Sequence, residues 1–281
     1  PDFKGYLSDL GGPSANMYKM KGKDEAICAR CSSPSCIHPV ICNNLDTSHK
    51  PLTELYRKVD AHPKIKKAFV GSGIRYDLLV DDFNKNNEDG NHDEYIEQVV
   101  TRHVSGRLKV APEHTSDATL RVMRKPSFKY FHQFKEKYEK ISAKHNLKQQ
   151  LIPYFISSHP GCESEDMANL AAETKDMGFQ LEQVQDFTPT PMTVATVIYY
   201  AGVHPYTLKP VETVKSKEEK QNQNRFFFWY KRENRDFIKK ELTKANRPEL
   251  LEKLLGEKPG NKDTSAHPKR EWIEKRRKRK R

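Results

Sequence analysis

The chain has 281 residues, of which 31% are charged and 35% are hydrophobic, and its formal net charge is +12. No apolar run approaches the roughly 18 residues that a membrane span needs, which excludes an integral membrane protein. The sequence also shows no secretory signal pattern, so we expect a cytoplasmic protein of one or two domains that does not engage a membrane.

Residues 1–50 form a segment rich in glycine, serine, asparagine and cysteine, with little periodicity. Four of the five cysteines of the chain lie in this segment, at Cys28, Cys31, Cys36 and Cys42. Without a secretory signal, such a cluster predicts a thiolate site for zinc or an iron–sulfur cluster more often than disulfides. The spacing matches neither a zinc ribbon nor a common ferredoxin, so buried free thiols and disulfides stay as alternatives. At the isolated Cys162 we expect a structural thiol.

Residues 51–202 alternate short apolar runs with helical patterns. The apolar runs predict four buried strands, in residues 67–73, 107–112, 151–156 and 180–187. The stretches between them predict helices, in residues 94–103, through Leu120, and in residues 127–145 and 164–177. Strands that alternate with helices indicate βαβ units and a parallel sheet. The predicted fold class is therefore α/β, with about four parallel βα units.

Polar and titratable residues follow each of the four predicted strands. These loops are residues 71–77, 111–117, 157–163 and 186–191. In parallel α/β proteins, ligands bind in the loops after the carboxyl ends of the strands. No GxGxxG motif follows any strand, so the dinucleotide-binding fingerprint is absent. The four loops together predict a binding face at one edge of the sheet.

Positive charge is concentrated at the C-terminal end of the chain. Residues 1–200 hold equal numbers of basic and acidic residues, whereas residues 269–281 hold nine basic and two acidic ones. We predict that residues 203–268 are a charged, mainly helical extension, in which the aromatic run Phe226 to Tyr230 packs onto a neighbour. Residues 269–281 are predicted to be a disordered basic tail, with electrostatic binding of RNA or an acidic partner as the alternative role.

Seven segments of the chain carry a resemblance to a known family. They are FKGYLSDLGGPSANMY (3–18), CSSPSCIHPVIC (31–42), DTSHKP (46–51), VGSGIRYDL (70–78), LKVAPEHTSD (108–117), YFISSHPG (154–161) and QVQDFTPTPMTVATVIYY (183–200). In these segments the chain resembles the C-terminal part of the YgiQ-like proteins, a bacterial radical S-adenosylmethionine (SAM) family. The spacing of Cys31, Cys36 and Cys42 belongs to the resemblance, and Cys28 is additional.

The resemblance implies a partial TIM-type barrel over residues 51–202, with SAM bound across the carboxyl ends of its strands. It also implies a four-iron four-sulfur cluster whose CxxxCxxC ligands lie outside this chain, because the sequence contains no such motif. We therefore expect the C-terminal half of a longer enzyme that performs radical chemistry on an unknown substrate and is inactive as this piece alone. Exposed sheet edges would pair with the missing N-terminal half or with a second copy of the chain. The cysteines of residues 1–50 are expected to hold an auxiliary metal or cluster.

Five residues are predicted to bind SAM, although the catalytic residues stay unknown. They are Arg75, Lys109, Glu113, Ser157 and Ser158. The resemblance places the two serines where related enzymes have a glycine-rich turn beside the adenine. Each residue also has a structural interpretation: Arg75 paired with Asp77, Lys109 paired with Glu113, and the serines as helix caps.

The alternative function is a zinc-stapled nucleic-acid-binding module. It would use the cysteine cluster as a zinc site and the residues after 200 as a basic arm. Such a module predicts an affinity for RNA or DNA that falls steeply with salt.

Overall fold

Five strands, all paired in parallel, form two small sheets in the described part of the chain. The computed structural model describes residues 2–12, 14–71, 73–80, 83–84, 91–181 and 184–256. The strands are β1 (Tyr6–Leu7), β2 (Lys67–Ala68), β3 (Arg107–Glu113), β4 (Gln150–Ser157) and β5 (Val184–Asp186). One sheet has the order β1-β2 and the other has the order β3-β4-β5. This arrangement confirms the predicted α/β class with parallel strands, but the described strands do not close into a TIM barrel.

Ten α-helices accompany these strands in the described residues. They are α1 (Glu25–Ala29), α2 (Lys50–Asp60), α3 (Asn91–Gln98), α4 (Asp117–Met123), α5 (Lys129–Lys144), α6 (Ser164–Asp176), α7 (Val194–Ala201), α8 (Lys217–Phe227), α9 (Arg232–Lys244) and α10 (Pro248–Leu255). The predicted helices are confirmed at α3 to α6, and α3 continues as a π-helical turn over Val99–His103. Helices lie between β3 and β4 and between β4 and β5, which are parallel neighbours in one sheet, as βαβ units require. β2 pairs with β1 in the other sheet.

Strand β3 differs from its prediction at the proline. It was expected to stop at Pro112, yet it continues to Glu113. A proline has no N–H for the ladder and is tolerated in a strand mainly at an edge or a bulge. The pairing of β3 with β4 shifts register between Val110 and Glu113, which supplies such an irregularity. β5, in contrast, is described as a strand only from Val184 to Asp186, which is shorter than the predicted strand.

The core lies on one face of the three-stranded sheet. Alternate residues of β3 and β4, such as Leu108 and Phe155, are fully buried. Helix α5 covers this face, since the ring of Phe128 immediately before it lies 6.2 Å from that of Phe155. The opposite face is more open and carries the exposed Lys109 and the partly exposed Tyr154. The period of two in burial thus separates a packed face from a face that is available to a ligand or partner.

The chain divides into two compact units, residues 1–228 and 229–281. Helix α8 belongs to the first unit, where Phe226 and Phe227 are buried, in accord with the predicted packing role of the aromatic run. The described part of the second unit holds α9 and α10, with Ile238 and Leu254 among its buried side chains. The predicted basic tail, residues 269–281, lies outside the described residues.

None of the helices in the described ranges combines the length and the apolar character that crossing a bilayer demands.

Candidate functional site

The carboxyl ends of β4 and β5 meet through a short hydrogen bond. Ser157 and Asp186 are partners in the strand register, and the Ser157 hydroxyl donates to Oδ1 of Asp186 at 2.5 Å. The side chain of Asn224, on α8, donates to the same carboxylate oxygen at 2.8 Å. The predicted site residue Ser157 is therefore fully buried and holds two strand ends together.

Two predicted site residues have a strained backbone at the ends of neighbouring strands. Glu113 at the end of β3 has φ = 68°, and Ser158 directly after β4 has φ = 58°. Residues other than glycine rarely adopt this left-handed region, and where they do the surrounding structure must hold them. The conformation at Ser158 is one that glycine adopts more readily than serine.

Helix α8 holds the turn at Ser158. The Ser158 N–H donates to Oε1 of Gln223 at 2.8 Å, and Nε2 of Gln223 donates to the carbonyl oxygen of Cys162 at 2.8 Å. The Gln223 side chain is buried, so one amide group ties both ends of the turn after β4. The sequence contains no signal for this role, because Gln223 lies 65 residues after the serine that it holds.

Glu113 and Ser158 also carry buried polar atoms without a hydrogen-bond partner in the described structure. These atoms are Oε2 of Glu113 and Oγ of Ser158. The other carboxylate oxygen of Glu113 pairs with Nζ of Lys125 at 3.1 Å. Native proteins satisfy nearly all buried polar atoms. Nine described side-chain atoms are buried without a hydrogen-bond partner, and these two lie at the ends of neighbouring strands.

Two of the structural roles that the sequence analysis offers for these residues are not found in the structure. The predicted alternative of a Lys109–Glu113 ion pair is wrong, because Glu113 pairs with Lys125 and Lys109 is exposed on the open face of β3. The predicted alternative in which Ser157 and Ser158 cap a helix is also wrong. Helix α6 begins six residues further on, after Glu163, whose backbone N–H donates to the side chain of Asp166.

Arg75 forms the ion pair with Asp77 that the sequence analysis gives as its structural role. Its Nη2 lies 2.5 Å and its Nε 3.1 Å from the two carboxylate oxygens of Asp77. The side chain of Asn16 fixes the backbone of Arg75, accepting from its N–H at 2.7 Å and donating to its carbonyl oxygen at 2.9 Å. Arg75 also lines a cavity of about 140 Å³ together with Ala111 of β3 and Lys125. The structure thus places Arg75 near Glu113, but with its guanidinium already paired.

The backbone beside Arg75 requires a glycine. Gly73 has φ = 82°, and a Cβ atom at this position would lie 2.0 Å from the carbonyl oxygen of Gly12. Only glycine permits this close approach of two loops. The loop after β2 is therefore held tightly against the N-terminal segment.

A buried histidine pair supports the same loop and was not predicted. The two Nδ1 atoms of His49 and His92 lie 2.6 Å apart, and Nε2 of His49 lies 3.2 Å from the amide of Asn16. The ring of His49 stacks on Tyr95 with centroids 4.5 Å apart. Burial, and then the neighbouring His92, lower the pKa of His49 to about 3. This network ties the end of residues 1–50 to α3 and, through Asn16, to Arg75.

A second buried cluster joins the loops after β3 and β4. Nδ1 of His114 accepts from the Ser116 N–H at 2.9 Å, so its Nε2 carries the proton and faces Sγ of Cys162 at 3.4 Å. Burial lowers the pKa of His114 to about 4 and raises that of the Cys162 thiol. A buried thiol whose pKa is raised is a poor nucleophile, in agreement with the structural role expected for Cys162.

The four clustered cysteines are free and are not buried. Cys28, Cys31 and Cys36 are exposed and Cys42 is partly exposed, so the alternatives of disulfides and of buried thiols are wrong. Burial and then the other three cysteines raise the pKa of Cys36. Within the described ranges, no group of three or more histidine, cysteine or acidic side chains is arranged to hold a metal ion.

Two hydrogen-bond donors contact sulfur atoms of this segment. The Asn44 amide donates to Sγ of Cys28 at 3.2 Å, and the Ser33 N–H donates to Sγ of Cys31 at 3.4 Å. None of residues 21–40 has a buried side chain, so this segment lacks a core of its own. Short segments without a core commonly depend on a metal or on disulfides for their order.

Comparison with known proteins relates the chain to families without an assigned function. A family model described as "Domain of unknown function (DUF3362)" matches residues 182–258, which include α7 to α10. A UPF0313 protein of Bacteroides thetaiotaomicron is 60% identical over 92% of this chain, and one of Porphyromonas gingivalis is 59% identical over 90%. A UPF0313 protein of Methanocella arvoryzae is 41% identical over 89% of this chain. The chain spans 42%, 40% and 40% of the length of these three relatives, respectively.

Proposed function

We propose that this chain is the C-terminal part of a YgiQ-like radical SAM enzyme and that the carboxyl edge of β3 and β4 forms part of its SAM site. The observation that carries the proposal is the pair of strained strand-end residues, Glu113 and Ser158, each with a buried polar atom that lacks a partner. Strain and unsatisfied groups cluster at functional sites because the remaining structure must offset their cost. The position also agrees with the rule that parallel sheets bind ligands at their carboxyl edge.

The length of the relatives supports the same proposal. The matched UPF0313 proteins are more than twice as long as the region that they share with this chain. The cluster motif CxxxCxxC, which this sequence lacks, would lie in the remainder. The further strands of a TIM-type barrel would lie there as well and would cover the open face that carries Lys109 and Tyr154.

The residues present fit a ligand with the charges of SAM. Oε2 of Glu113 would accept from the ammonium group of the methionine moiety, and the exposed Lys109 would offer a positive charge to its carboxylate. Lys109 has no ion pair with another described residue. Oγ of Ser158 would offer a hydroxyl to the ribose or adenine edge. Arg75 and Ser157 are held by Asp77 and Asp186, so they shape the wall and do not contact the ligand directly.

When it is bound beside a reduced iron–sulfur cluster, SAM supplies a radical that abstracts hydrogen from a substrate. The contribution of this chain is to bind and orient SAM and to exclude water. Gln223 of α8 performs the orienting role, since it holds the Ser158 turn at a fixed distance from the sheet. The cysteine segment, whose thiols are free and close enough to influence Cys36, is proposed to hold an auxiliary metal.

Calorimetric titration of SAM into the full-length protein tests the proposal. Ser158→Ala should weaken SAM binding by about tenfold, as expected for the loss of one hydrogen bond to a ligand. It should not lower the stability of the protein, because the deleted hydroxyl has no partner in the fold. Glu113→Gln should weaken binding at least as much, since it removes a charge-assisted bond.

Glu139→Gln is the matched control for Glu113→Gln, because Glu139 is an exposed carboxylate on α5 that pairs with Lys135. Equal SAM affinity in the wild type and in both site variants would refute the proposed site. The nucleic-acid-binding alternative stays a prediction, because its basic tail lies outside the described residues.

A further inference from the structure

A cavity of about 700 Å³ lies between the cysteine-rich segment and the turn that joins α4 to α5. Its lining includes His38, Ile41 and Asn43 of the cysteine-rich segment, together with residues of α4, of the turn after it and of the start of α5. The volume falls in the range of roughly 300–1,000 Å³ that small-molecule sites occupy. Phe83 and Tyr130 also line it and pack edge to face with centroids 4.9 Å apart, which gives it an apolar side.

The other side of this cavity is strongly basic. Arg121, Lys125 and Lys129 line it, whereas Asp117 is the only carboxylate among its described lining residues. Asp117 is engaged by the turn itself, accepting from the Ser127 hydroxyl at 3.0 Å and from the next backbone N–H at 3.3 Å. Three cations therefore face one carboxylate that already has partners.

Two of these cations have no counter-ion in the described structure. Lys125 pairs with Glu113, but neither Arg121 nor Lys129 makes an ion pair with a described residue. The ammonium of Lys129 instead lies 4.8 Å from the centroid of the Tyr130 ring. Uncompensated like charges around a cleft repel one another and focus a positive potential that attracts anions.

The three cations come from one stretch of the chain, residues 121–129, and His38 lines the same cavity. The basic character is a property of this location and not of the first 200 residues as a whole, which are neutral.

The cavity adjoins the proposed SAM site. Lys125 and Pro126 line both it and the smaller cavity beside Arg75, and Lys125 contacts Glu113 at the end of β3. A molecule bound here would therefore lie next to the carboxyl edge of the sheet, where a radical would be delivered.

We propose that this cavity binds a small molecule bearing a phosphate group, and that this molecule is the substrate. Its role as substrate rests on the proposed function, whereas the anion binding does not. Arginine and lysine side chains favour phosphate through charge-assisted hydrogen bonds. The apolar side formed by Phe83 and Tyr130 contacts the uncharged part of the molecule.

Titration of inorganic pyrophosphate into the 281-residue protein, followed by calorimetry, tests the binding. The double variant Arg121→Gln, Lys129→Gln should raise the Kd at least about tenfold, since two unpaired cations are lost. Lys58→Gln removes one positive charge at an exposed position of α2 and should leave the Kd unchanged. Arg121→Lys should retain most of the affinity, which separates loss of charge from loss of folding.

The outcomes separate the alternatives. Pyrophosphate that binds more tightly than citrate supports the phosphate class, and tighter binding of citrate overturns it. An equal Kd in the wild type and in the double variant overturns the site altogether. SAM affinity of the full-length double variant should be unchanged, so that failure of this site and failure of the proposed SAM site appear in different titrations.

Discussion

Mild acid is expected to destabilise the first unit through its buried histidines. Burial lowers the pKa of His49 to about 3 and those of His114 and His159 to about 4, from an ordinary value of 6.5. Nδ1 of His114 accepts a backbone hydrogen bond, so the folded protein requires that ring to be neutral. Well above pH 6.5 the three rings are neutral in both states and the stability is fully present. As the pH falls through 6.5 the unfolded chain binds more protons than the folded chain, and stability is lost until the pH reaches the folded pKa values, about 4 for His114 and His159 and about 3 for His49.

The size of this effect follows from the three pKa values. Between about pH 7.5 and about pH 5.5, each histidine costs about 1.3 kcal/mol, so the three together cost about 4 kcal/mol. This is a large part of the 5–15 kcal/mol that stabilises a typical domain. At about pH 5.5, the slope of the free energy of unfolding against pH corresponds to the uptake of between two and three protons on unfolding.

Urea unfolding of the 281-residue protein across this pH range, followed by circular dichroism, measures the slope. His159→Phe should reduce proton uptake by about one, because its ring lies against Phe187 in an apolar contact with centroids 4.8 Å apart. His62→Gln, at an exposed position, controls for the loss of a histidine as such. Stability that stays constant from about pH 7.5 to about pH 5.5 would show that the buried rings do not oppose protonation.

Four further predictions concern separate parts of the chain. Gly73→Ala should cost at least about 2 kcal/mol more than Gly178→Ala in urea unfolding, since both have a positive φ but only the first places Cβ against a carbonyl oxygen. Cobalt titration should give sulfur-to-metal charge-transfer absorption that Cys36→Ser weakens and Cys162→Ser leaves intact; no such absorption in the wild type would refute the auxiliary metal. The 281-residue chain reconstituted with iron and sulfide should not cleave SAM, and cleavage would contradict a cluster held elsewhere. Deletion of residues 269–281 should leave SAM binding of the full-length protein unchanged, whereas a loss would favour a functional role for the basic tail.

Much of the helix and strand order could be predicted because it depends on local patterns. Burial in β3 and β4 alternates with the period of two that the sequence shows, and α5 and α6 follow helical patterns. The two-residue strand β1 is different, since it pairs with a segment 61 residues away and carries no periodic signal of its own. β2 lies within the strand predicted over residues 67–73 but spans only Lys67–Ala68. The bulge at Pro112 was also not predicted, because a proline in a strand is ordinarily read as its end.

The sequence predicted where the candidate site lies along the chain, but not which side chains contact its residues. The strand-end position indicates Glu113 and the resemblance indicates Ser158, and the structure adds that both are strained and carry unsatisfied atoms. The partners of these residues could not be predicted. Gln223, Asn224 and Lys125 reach the site from helices or turns whose own sequence patterns specify only local structure.

The sequence by itself determined the α/β class, the strand-end loops, the cysteine segment and the location of the excess charge, because each depends on residues near one another in the chain. The tertiary structure decided which charges are paired. Arg75 is held by Asp77 and Glu113 by Lys125, while Arg121 and Lys129 face a cavity without a counter-ion. A net charge sums over the whole chain, whereas a binding site depends on the few side chains that folding places within several ångströms and on how far burial excludes water from them.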